Sequence, residues 1–156
     1  MKFHVIPKIS ISIILIIISS SFVFNQISTA KVNYISGRDG TITMRSIGIG
    51  SNAQAAIEDA EKNAISVLLF RGLPESEQKF ALIGTNEEDE KNKHKNYFNM
   101  FFKGNRYKSF VMSSIPATEL FKIKGGKKSI AVDIKINLLA LRIDLEQNNI
   151  IRKFGL

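Results

Sequence analysis

The chain has no cysteine and no tryptophan, only three prolines and two histidines, and 14 acidic against 22 basic side chains in 156 residues. The missing cysteine excludes a disulfide scaffold, a thiolate zinc site, a cysteine nucleophile and the acyl anchor of a lipoprotein. With so few histidines, one of them His4 close to the N-terminus, no HExxH or paired-histidine metal motif exists. Neither a nucleophile elbow nor a lysine-paired serine motif occurs. What is present is ordinary for a folded domain: 44% hydrophobic and 23% charged residues, which argues against wholesale disorder, in a length that suits one domain.

The first thirty residues read as an address. Lys2 and Lys8 precede the apolar run Ile9 to Ile18, serines follow, and Ser28-Thr29-Ala30 places small residues where a signal peptidase cuts. The expectation is a signal peptide over 1–30, cleaved after Ala30, and an exported protein that is periplasmic or secreted. The alternative is an uncleaved inner-membrane signal anchor. Ile9 to Phe24 is interrupted by serines and shorter than the ~20 residues that span a bilayer, which favours cleavage. The remaining 126 residues carry a net charge of +6, because the leader takes two lysines and no acid with it.

Residues 31–40 are polar and turn-rich and read as a flexible lead-in to a single domain over 41–156. Thr41 to Ile49 alternates like a half-buried strand. Ser51 and Gln54 fit a capping box for a helix whose Ala53, Ile57, Ala60, Ala64 and Leu68 share one face, ended by Gly72 and Pro74. Pro74 to Asn92, with its acidic Glu87 to Glu90 run, reads as a surface loop. His94 to Lys103 carries Tyr97, Phe98, Phe101 and Phe102 at helical spacing. Arg106 to Ile115 reads as extended. Gly125-Gly126 suggests a hairpin between Glu119–Lys124 and the strongly alternating Lys128–Ile136, after which Asn137 caps a helix bearing Leu138, Leu141 and Leu145. The order β-α-(α)-β-β-β-α predicts an α+β two-layer sandwich, its antiparallel sheet covered on one face by helices.

Gly48-x-Gly50-x-x-Ala53 formally matches a dinucleotide fingerprint, but the strand before it is amphipathic and no parallel strand ending in an acid follows. A tight strand-to-helix turn is the better reading. His94, between two lysines and lacking an acidic orienter, reads as a solvated helix residue. The acidic run lacks the spaced oxygens and glycine of a calcium loop.

Charge is distributed unevenly. Residues 58–90 carry −6 and residues 91–156 carry +10. The candidate partner-binding residues are the cations of that second half: Lys91, Lys93, Lys95, Lys103, Arg106, Lys108, Lys122, Lys124, Lys127 and Lys128. The first six interleave with Tyr97, Phe98, Phe101, Phe102, Tyr107 and Phe110. Basic groups beside aromatics can hold an anionic membrane, an envelope polymer or a single-stranded nucleic acid. The competing reading puts the aromatics in the core and the lysines in solvent. Export disfavours nucleic acid.

Three stretches, TITMRSIGIGSNAQAAIEDAEKNAISVLLFRG, SIAVDIKI and LLALRIDLEQNNIIRKFG, together resemble small exported domains of bacterial envelope proteins, including the N-terminal modules of flagellar ring-assembly proteins and related small lipoproteins. The lipobox cysteine of the lipoproteins is missing here. The resemblance implies scaffolding or assembly and no catalytic residues. The expected function is therefore that of a non-enzymatic exported envelope protein, with a binding or assembly role through a basic, aromatic-containing surface. Its partner would be an envelope protein or an anionic polymer or membrane surface, with no cofactor and no metal. The alternative is an envelope hydrolase or small-molecule binder whose site forms only in three dimensions.

Overall fold

A computed structural model describes residues 32–153. The expected signal peptide over 1–30 therefore lies outside the described residues. Two long strands, β2 (Thr41–Gly50) and β5 (Lys128–Asn137), pair antiparallel along their whole length, Thr41 opposite Asn137 and Gly50 opposite Lys128. β1 (Val32–Arg38) adds to the outer edge of β2, and β3 (Val111–Pro116) and the two-residue β4 (Phe121–Lys122) add to β5. The sheet is antiparallel throughout and mixed with helices, as the α+β reading expects.

Alternation decides which side is buried. Ile42, Met44 and Ser46 of β2 and Ile130, Val132, Ile134 and Ile136 of β5 are at most 4% exposed and face helix α1 (Ala53–Phe70). The Gly48-x-Gly50 pattern is a packing device: a Cβ on Gly48 would lie 1.9 Å from the carbonyl oxygen of Ala56, and one on Gly50 would lie 2.4 Å from the Ala56 nitrogen. Two glycines on the strand and two small residues, Ala56 and Ala60, on the helix let the backbones approach this closely. α1 also closes part of the β2 edge that β1 leaves unpaired. The Ile49 N–H donates to Asp59 Oδ2 at 2.9 Å, and Asn63 Nδ2 donates to the Ile47 carbonyl at 3.2 Å.

Several local expectations are corrected. Residues 32–38 form β1 and are not a flexible lead-in; Asp39 (φ 51) and Gly40 (φ 71) form the two-residue, left-handed turn that returns the chain as β2. The cap of α1 is Asn52, whose Oδ1 accepts from Ala55 N at 2.9 Å, and not Ser51. The acidic run is a short helix, α2 (Glu87–Lys93), capped by Asn86. α3 (Lys95–Phe98) continues through a widened turn over Asn99–Lys103. Arg106–Phe110 is a tight helical turn and not strand, so β3 starts only at Val111. The C-terminal helix α4 (Leu138–Gln147) is as expected: Asn137 Oδ1 accepts from Ala140 N, and Leu138, Leu141 and Leu145 are buried.

Candidate functional site

The ten candidate cations do not form one patch. Lys91 is drawn over the rings of Phe70 and Phe102, 5.5 and 4.8 Å from their centroids, and bonds Glu87 at 2.6 Å. Lys93 pairs with Glu90 at 4.0 Å. Arg106 pairs with Asp144, and Lys108 reaches across to Glu58 of α1 at 2.8 Å. Lys95 and Lys103 are exposed. The aromatics between them point inward. Phe98, Phe101, Tyr107 and Phe110 are at most 7% exposed, and Phe101 stacks on Tyr97 and Phe110 with centroids 5.4 and 5.8 Å apart. Residues 91–110 therefore supply a core cluster with cations around it, not a basic aromatic surface.

The Tyr97 hydroxyl donates to Asp144 Oδ2 at 2.7 Å, beneath the Arg106 guanidinium. Burial, followed by that carboxylate, raises its pKa far above the ordinary phenol range. Burial and the nearby Glu61 do the same to Tyr107. Glu61 itself is 9% exposed and accepts from Ser114 Oγ at 2.7 Å. These contacts pin α3, the 106–110 turn and β3 to α1 and α4.

Lys122, Lys124, Lys127 and Lys128 sit together on the β4–β5 hairpin, where Phe121 pairs with Ser129 and Lys122 with Lys128. Among the described residues none of the four has a carboxylate partner. Lys128 is opposite Gly50, at the end of the sheet from which the chain enters α1, whereas Lys91 lies over Phe70 at the helix's other end. An eighteen-residue helix, about 27 Å long, separates the hairpin from Lys91, whereas Lys108, on Glu58 in the second turn of α1, lies nearer the hairpin end.

Beside the hairpin, the sheet face opposite α1 is open. Phe121 (53% exposed) and Ile49 (41%) flank Ser129 in one row across three strands and cover it, so that it is only 4% exposed. Ile47 and Ala131 form the next, and Ile115 (62%), Asp133 and Arg45 the one after. Asp133 is neutralised within the face: Arg45 Nε and Nη2 donate to its two oxygens at 2.7 and 2.9 Å, and these bonds hold its pKa below the usual aspartate value. An exposed aromatic among unpaired lysines thus does occur, at Phe121 and not where the sequence interleaves them. Phe121 escapes notice in the sequence because one ring in FKIKGGKK makes no pattern; the glycine pair, which forces the lysines into one tight hairpin, is the usable signal.

His94 is not solvated as expected. Its side chain is 19% exposed, with Nε2 enclosed and 3.8 Å from Glu90. No group of three metal-capable side chains gathers among the described residues, and no helix among them is long and apolar enough to cross a membrane. No family model, no curated protein and no solved structure matches the chain.

Proposed function

We propose that this is an exported bacterial envelope protein without catalytic activity, which binds an anionic envelope partner through its β4–β5 hairpin and the adjoining open sheet face. The observation that carries the reading is the hairpin itself: four lysines within seven residues, lacking carboxylate partners among the described residues, beside an exposed Phe121. Such a surface offers an anionic polymer or lipid headgroups several cations at once and an amphipathic ring to sit at the interface. The leader-like residues 1–30 and the resemblance to exported envelope modules support the compartment.

Co-sedimentation of the full chain with vesicles rich in anionic lipid, and with envelope polymer, tests the reading. Comparison with a variant carrying Lys→Gln at 122, 124, 127 and 128 isolates the hairpin, because both proteins share the same N-terminal segment. Binding that falls at least tenfold in the variant and weakens with salt supports the proposal. Equal binding by both proteins, or none by either, overturns it. Intact-mass measurement of the protein recovered from the envelope fraction tests export separately: a mature chain starting at Lys31 is expected, and an unprocessed cytoplasmic chain contradicts it.

A further inference from the structure

A cleft of about 550 Å³ opens at the opposite end of the molecule from the hairpin, between the 78–83 segment, α2, α4 and the chain after α4. Its size falls within the range of small-molecule sites. One wall is apolar, from Leu82, Ile83, Ile150 and Ile151, and the rim carries Lys93, Arg142 and Arg152 against a single acid, Glu90. Lys93 lies 4.0 Å from that acid with its side chain 67% exposed, and the lining as a whole carries a net charge of +2.

The cleft wall is built, not draped. Gln78, only 7% exposed, accepts from Arg142 Nη2 at 2.8 Å and donates to the Phe80 carbonyl. Leu82 N–H and Ile83 N–H donate to the Leu68 and Leu69 carbonyls in the last turn of α1, both at 3.0 Å. A buried amide therefore fixes one guanidinium and the loop together. On that anchored backbone Phe80 is held 81% exposed at the lip, the most exposed of the large apolar side chains described.

We propose that this cleft binds a small organic anion carrying an aromatic or branched aliphatic group. The apolar part lies against Phe80, Leu82 and Ile150, and the carboxylate, phosphate or sulfonate is met by Arg142, Arg152 and Lys93. The net positive lining favours an anion, and the exposed Phe80 ring, on a backbone fixed by Gln78, favours a ligand with an apolar face. This inference does not depend on the hairpin reading.

The test uses the full chain with 1-anilinonaphthalene-8-sulfonate as an anionic aromatic probe and N-phenyl-1-naphthylamine as its uncharged counterpart. Expected are one sulfonate per chain, bound at least tenfold tighter than the uncharged probe, with amide shifts at Leu82, Ile83 and Ile150. The paired substitution Lys93→Gln and Arg152→Gln weakens the sulfonate about tenfold and leaves the uncharged probe unaffected, whereas Phe80→Ala weakens both. Arg142 is spared because it holds Gln78. Equal affinity for the two probes, unchanged sulfonate binding in the paired variant, or amide shifts at the β4–β5 hairpin or before residue 32 in place of the cleft overturn the proposal.

Discussion

Gly48 shows what a single residue can require of this fold. A methyl group there would have to occupy space 1.9 Å from a helix backbone oxygen, and backbone cannot rotate away as a side chain can. Gly48→Ala must therefore lift α1 off the sheet, with a cost at or above the ~3 kcal/mol upper end for overpacked cores. Chemical denaturation should show it as a large fall in midpoint, or as failure to fold. Tyr97→Phe is milder. It removes one hydrogen bond to Asp144, which keeps Arg106 as a partner, so about 1 kcal/mol is expected. The two buried phenols also give alkaline pH a defined effect. Their folded pKa values lie above the unfolded value near 10, so their contribution is complete below pH 10 and disappears as pH rises beyond it. Stability should be flat in these groups up to about pH 10 and fall above it, with phenolate absorbance for Tyr97 and Tyr107 appearing only as the chain unfolds.

At the scale of elements, the parts legible in the sequence are those with a one-sided environment. β5 alternates without error from Ile130 to Ile136 because α1 covers one face and solvent meets the other. α1 is recognisable from alanines at helical spacing because its contact with β2 is backbone-close. β1 is missed for a physical reason: it turns only Val32 and Tyr34 toward the core before an irregularity between Tyr34 and Ser36 breaks its register, so two residues cannot establish a period. The Asp39-Gly40 turn was the available signal. α2 has no buried residue and hence no hydrophobic pattern at all; it forms from the Asn86 cap, four acids in its first turn and lysines in its last, an arrangement aligned with the helix dipole. The cleft is less legible still, because it joins segments far apart in sequence; the four hairpin lysines are contiguous and stand among the sequence candidates, whereas the sheet face beside them draws on three strands and leaves no local pattern. If Asn52 is the working cap of α1, Asn52→Ala should lower stability by about 1 kcal/mol while Ser51→Ala stays within ~0.5 kcal/mol, measurable as separate denaturation midpoints.

For the whole molecule, the lopsided charge of the sequence resolves into two populations of cations that perturb different things. Lys91, Arg106 and Lys108 come from the basic half and are spent on the acids of α2, α4 and α1, so the +10 of residues 91–156 overstates what solvent sees. Lys108 belongs to the fold: its bond and that of Gln54 hold the Glu58 pKa below 4.5, so that contribution is present above pH 4.5 and is lost as acid titrates the folded carboxylate. Lys108→Gln should move the Glu58 midpoint, followed by NMR, back toward 4.5 and leave polyanion binding intact. The hairpin lysines belong to no such pair among the described residues. Replacing all four with glutamine should leave the Glu58 midpoint unmoved and the thermal transition little changed, because exposed substitutions of this kind each fall within ~0.5 kcal/mol, while binding to anionic surfaces is lost. A Lys108 variant that loses binding would show that the binding surface extends over α1, and a hairpin variant that unfolds would show that the hairpin lysines belong to the fold as well; either outcome means that the two populations are not separable. The division is thus a claim about the folded protein that the linear charge pattern, basic in both regions, could not make.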